Sequence, residues 1–178
     1  MALKGKRRIT HLLLVVIAAT GIFACNQHKK DKEGERLFTG YPFPKPIGFV
    51  SDFVHLFSKT EIDTLTRIIA LNEQKTTNQI AIVTTNDTMV NKSNLTNYVT
   101  ALFNNWGVGD KRKNNGVIIC IFPRIRMLRI GTGYGIENKM TDAETAKIID
   151  SIITPEYKKG SYYIGTKKGL LAVIDETK

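Results

Sequence analysis

The chain has 178 residues, 42% of them hydrophobic, which is enough to bury a core without disulfides or metals. Its formal charge of +10 invites a nucleic-acid reading. No RNP motif, zinc spacing or basic helix accompanies that charge, so no nucleic-acid partner is expected.

Residues 1–24 combine a basic start (Lys4, Lys6, Arg7, Arg8) with an apolar run from Leu12 to Ala19 and small residues near the end. That pattern is a secretory signal, and the run is short for a membrane span. Taking those four cations from +10 leaves +6 on the remaining chain. Ile22-Phe23-Ala24-Cys25 resembles a bacterial lipobox, in which Cys25 is acylated and becomes the mature N-terminus. A plain signal peptide and a retained anchor helix are the alternatives. On the lipobox reading the protein is a membrane-tethered lipoprotein of the cell envelope. Residues 25–46 are polar and then proline-spaced, with Pro42, Pro44 and Pro46, and read as an extended tether.

The folded part is expected over 47–178. Ser58 and Glu61 form a capping box ahead of Leu65, Ile68, Ile69 and Asn72, so a helix is expected over about 59–76. Residues 79–85 read as a core strand, and Ser93 or Asn94 caps a second helix ending near Trp106. Val117–Phe122 is too short and too β-branched for a helix and reads as a buried strand, parallel to the first because a helix separates them. Residues 123–126 turn the chain and 127–131 return it as a hairpin. Thr141 and Glu144 form a second capping box, for a helix that Pro155 is expected to end. A last helix is expected over 161–175. The fold class is therefore α/β: one compact domain with a mixed sheet of about four strands and helices on both faces. A monomer is expected.

Two loops rich in glycine and oxygen-bearing side chains flank the hairpin. The first runs Asn105-Trp106-Gly107-Val108-Gly109-Asp110 and on to Asn114-Asn115-Gly116, the second Gly131-Thr132-Gly133-Tyr134-Gly135-Ile136-Glu137 and Thr141-Asp142. With Gly48-Phe49-Val50-Ser51-Asp52 upstream, this constellation resembles the TPM-domain family, sometimes labelled a phosphatase family, over about residues 47–175. The resemblance implies a calcium-type site near these positions, with Asn114 standing where an aspartate is expected before Asn-Gly.

The residues themselves offer Asp52, Asp110, Asn114, Asn115, Glu137 and Asp142 as oxygen donors for a hard cation such as calcium. Each has a plainer role open to it. Asp142 suits a helix start, Asp52 a turn, and Asp110 and Asn115 a shaped loop. Gly131-x-Gly133-x-Gly135 lies too far ahead of the next helix to cradle a pyrophosphate, so close backbone packing or carbonyl coordination is the better account. His55 is the only histidine of the folded part, and no nucleophile–base pair can be assembled. Cys120, in mid-strand, reads as a small core residue.

Two functions remain: a lipid-tethered, cation-binding interaction or maintenance module of the envelope, with an envelope protein as its expected partner, and a weak metal-dependent phosphatase acting on phosphate monoesters. In the second, a metal-bound water supplies the nucleophile and some of Lys111, Arg112, Lys113, Arg124, Arg126 and Arg129 hold the phosphate.

Overall fold

The computed structural model describes residues 37–178. The expected signal segment, the lipidation site Cys25 and the first part of the tether lie outside the described residues.

Four strands form one sheet in the order β1-β2-β3-β4: β1 (Val50–Asp52), β2 (Gln79–Thr84), β3 (Gly116–Phe122) and β4 (Met127–Thr132). β1 and β2 pair parallel, β2 and β3 pair parallel, and β3 and β4 close an antiparallel hairpin. Every residue of β3 is buried, as a central strand covered on both faces requires.

The two-residue period of the strands sorts the core into two halves. Ile80, Ile82, Val117, Ile119, Ile121 and Ile130 face one side. There they meet Leu65 and Ile69 of α1 (Lys59–Thr76) and Leu170 and Val173 of α6 (Tyr162–Glu176). Ala81, Val83, Ile118, Cys120 and Phe122 face the other side, against Leu95, Tyr98, Val99 and Leu102 of α2 (Leu95–Trp106). Helices thus cover both faces, and the mixed α/β domain read from the sequence is the fold observed.

Both capping boxes form. Ser58 Oγ accepts from Glu61 N while the Glu61 carboxylate accepts from Ser58 N, and Thr141 and Glu144 repeat the exchange ahead of α4 (Asp142–Lys147). Two expectations fail. Pro155 does not end its helix: α4 passes into a π-helical stretch, Ile148–Ile153, and then into α5 (Thr154–Lys158). The widened turn has Thr154 N donating to Ile149 O, and Pro155 falls in the first turn of α5, just after it.

The second failure is at the tether, whose last residues dock on the domain. Phe38 is only 3% exposed, and it packs with Tyr41 and Phe43 around Tyr98 of α2. Trp106 Nε1 donates to Pro44 O at 2.8 Å. Tyr41 Oη and Tyr98 Oη both donate to Asp87 Oδ2, at 2.7 and 3.1 Å. Burial, then the Asp87 hydrogen bond and charge, push the Tyr41 phenol up to about 12. Tyr41 N donates to Phe38 O and Phe43 N to Tyr41 O, so short turns fold this segment back and its aromatic rings bind it down.

Candidate functional site

The register separates the six expected oxygen donors. Asp52 pairs with Thr84, which pairs with Ile121 at the carboxyl end of β3. Asn115 and Asp110 lie at the opposite end, where Gln79 pairs with Gly116. Five residues at about 3.3 Å each put these ends roughly 16 Å apart. Asp52 does not join the other five.

Asp52 is also fully committed. Its Oδ1 accepts from Leu56 N at 3.0 Å and from the Thr84 hydroxyl, and its Oδ2 accepts from Phe57 N at 2.8 Å. It closes the turn that carries His55, which is exposed at φ 54°. That is a turn residue's work, for the histidine as for the aspartate.

Asp110 and Asn115 are spent on shaping the first loop. Asp110 Oδ1 accepts from Arg112 N at 2.8 Å and Lys113 N at 3.2 Å. Its carboxyl is held below the usual range, first by the Arg112 amide and further by that of Lys113. Asn115 is buried; its Oδ1 accepts from Asp110 N at 2.9 Å and its Nδ2 donates to Thr77 O at 2.7 Å.

The remaining three meet. Asn114, Glu137 and Asp142 line one cleft of about 610 Å³. β4 from Arg129 to Thr132 contributes to its lining; α2 lines it on one side, and α4 with the start of the π-helical stretch lines it on the other. Among the described residues, no hydrogen bond or ion pair engages the side chains of Asn114, Glu137 or Asp142, and all three are exposed.

Backbone contact brings the two loops together. Gly135 N donates to Asn114 O at 3.0 Å and Gly133 N to Gly116 O at 2.9 Å. A Cβ on Gly133 would stand 2.3 Å from Asn114 O, and one on Gly135 would stand 2.0 Å from Lys113 O. The glycine spacing therefore serves backbone approach between the loops, of the two roles expected for it. One helical element was not legible: Tyr134–Glu137 forms a short turn, α3, that sets Glu137 at the cleft.

Of the basic residues, Arg129 alone lines the cleft. Arg124 is committed to Asp87 O and Val90 O, at 2.9 and 2.7 Å, beyond the far end of the hairpin. Lys113 Nζ donates to Thr77 Oγ1 and Arg112 approaches Asp110. Tyr134, 80% exposed at the cleft, was not among the expected site residues; an aromatic ring between two glycines of a loop was the available signal.

Among the described residues, no three carboxylate, imidazole or thiolate side chains are grouped to hold a metal by themselves. A cation here would need amide, hydroxyl or backbone oxygens, or water, beside Glu137 and Asp142, a donor set that hard cations accept. Cys120 is wholly buried, and burial pushes its thiol far up, which makes it a core residue and not a ligand. Among the described residues no helix is long and apolar enough to cross a membrane.

Fold and cleft together define a small α/β domain whose loops meet beside the edge of a mixed sheet. The sequence matches the TPM domain family over residues 50–176, and the chain belongs to that family. Its fold is similar to the solution structure of the N-terminal domain of a protein from P. gingivalis, at 26% identity and TM-score 0.66, covering 72% of this chain and 80% of that one. The N-terminal domain of the cg2496 protein from Corynebacterium glutamicum shares the fold at 15% identity and TM-score 0.57, over 77% of this chain and 85% of that one. The BA42 protein of Bizionia argentinensis shares it at 16% and 0.61, over 70% and 83%. No curated protein matches the sequence significantly.

Proposed function

We propose that this TPM domain is a binding module of the cell envelope, held at a membrane by a lipid on Cys25, that takes a divalent cation, calcium, in the cleft. One observation supports the cation most. Of six oxygen-bearing candidates, the three that reach the cleft are the three whose side chains are uncommitted. Asn114, Glu137 and Asp142 would hold the ion. It would neutralise the two carboxylates and fasten the loop of Asn114 to the start of α4.

With two carboxylates and an amide where a third was expected, affinity belongs to the weak class of extracytoplasmic calcium sites, about 10⁻⁴ to 10⁻³ M. Calcium tenfold above the dissociation constant should then add about 1.4 kcal/mol to stability. Thermal unfolding of the purified domain across a calcium series tests this. A melting temperature indifferent to calcium, or a rise that survives the double change Glu137→Gln and Asp142→Asn, would remove the site.

Arg129 keeps a second reading open, because it places a cation-bearing side chain in the same cleft as the carboxylates. A metal-dependent phosphatase needs that pairing: guanidinium for the phosphate, and a bound metal for charge neutralisation and a nucleophilic water. Turnover of a phosphate monoester, lost in Arg129→Ala and in the carboxylate double variant, would establish it. Absence of turnover in calcium, magnesium or manganese leaves the binding module.

A further inference from the structure

We infer that the cleft seats an extended peptide segment of a partner protein as a fifth strand on β4, with an acidic residue of that segment beside Arg129. This deepens the module reading and rests on the domain's being a binding module, while needing no cation.

β4 ends the sheet, and its hydrogen-bonding pattern says which groups point outward. Gly133 N donates to Gly116 O, so the Gly116–Gly133 pair exchanges hydrogen bonds. The antiparallel register then makes Ile118–Gly131, Cys120–Arg129 and Phe122–Met127 the other hydrogen-bonded pairs. Leu128, Ile130 and Thr132 must direct their N–H and C=O groups away from β3. Among the described residues nothing receives them.

Such an edge invites strand addition, and proteins that do not use one normally shorten or cover it. The opposite edge is treated that way: β1 has three residues, all buried. β4 has six residues and only Ile130 is buried. Its outer side opens into the cleft, between α2 and α4, which would guide an incoming strand along the edge instead of leaving it flat.

Side-chain direction specifies the occupant. Ile130 faces the half-core of α1 and α6, so Arg129, one residue away, points to the α2 side. The arginine has no ion pair among the described residues. On an added strand, the residue opposite Arg129 would share its face and should be acidic, and the residues on either side, opposite Leu128 and Ile130, should be apolar. Main-chain bonds supply the affinity and these alternate side chains the choice of sequence.

The test uses two acetylated, amidated pentapeptides, serine-valine-aspartate-valine-serine and its lysine-centred analogue, titrated into the 15N-labelled domain in EDTA. The expected result is movement of the Leu128, Ile130 and Thr132 amides, with the aspartate peptide about threefold tighter, the size of an exposed ion pair. Arg129→Glu should reverse that order. Thr132→Pro should weaken both peptides, since an edge strand accepts proline where its N–H faces outward. Should Thr132→Pro fail to fold, the Arg129→Glu reversal decides alone. Unmoved edge amides, a preference that Arg129→Glu leaves in place, or self-pairing of the free domain through the same amides would each overturn the inference. EDTA keeps this outcome separate from the fate of the calcium site.

Discussion

Replacing Asp52 by alanine is the change for which the sequence and the structure lead to different expectations. As a calcium ligand, Asp52 would be dispensable for folding and necessary for metal binding. As placed, it is 7% exposed and accepts three hydrogen bonds, from Leu56 N, Phe57 N and the Thr84 hydroxyl. Alanine leaves two backbone donors and a buried hydroxyl without an acceptor. Each such loss costs about 1–3 kcal/mol, and the three share one site, so a total of about 4 kcal/mol is expected rather than the full sum. With a urea dependence of about 2 kcal/mol per M, the midpoint should fall by about 2 M at unchanged slope. Asp52→Asn keeps an acceptor and should lose roughly half as much. Both variants should still respond to calcium at the cleft. A midpoint shift under about 0.5 M for Asp52→Ala, or loss of the calcium response in a folded Asp52→Asn variant, would refute the assignment of this residue to the turn.

Three further outcomes follow from contacts described above. Gly135→Ala drives a Cβ into Lys113 O and must part the two loops, costing about 1–3 kcal/mol; a calcium response surviving at full strength would show that the loop contact does not position the cleft. The docked aromatic segment should loosen in alkali. The Tyr41 phenol is raised in the folded state, so its contribution is intact below about pH 10, the unfolded value, and is lost as pH climbs through about 12. Urea unfolding of wild type and of a Tyr41→Phe, Tyr98→Phe double variant between neutral pH and pH 11 should show a decline in the first that is blunted in the second. Cys120 should resist thiol reagents until urea unfolds the chain, and Cys120→Ala should cost on the order of 1 kcal/mol; labelling of the native state would contradict its burial.

How much of this was legible depends on how local the governing contact is. Ser58–Glu61 and Thr141–Glu144 are three residues apart, so both caps and the helix starts they dictate could be read directly. The apolar run of β3 likewise announced a buried strand. The separation of Asp52 from the cleft arises from strand pairing across distances that periodicity does not encode. Pro155 misled because proline ordinarily ends a helix, whereas here it follows a π-helical turn and sits in the first turn of α5, from which the helix runs on to Lys158. The prolines of the tether predict an extended segment, whereas the rings of Phe38, Tyr41 and Phe43 carry the opposing signal, since that much apolar surface seeks cover. Within the site, three of the six expected donors reach the cleft and three hold loops together.

The central claim is that the cleft, and not the carboxyl end of the sheet, takes the cation. It is tested most directly by recording amide spectra of the 15N-labelled domain through a calcium titration. Calcium should produce saturable shifts at Asn114, at Gly133 to Glu137 and at Asp142, with an apparent dissociation constant of about 10⁻⁴ to 10⁻³ M and no movement at Asp52, Leu56 or Phe57. Shifts centred on Asp52, or silence at Asn114, Glu137 and Asp142 with calcium in large excess, would contradict it.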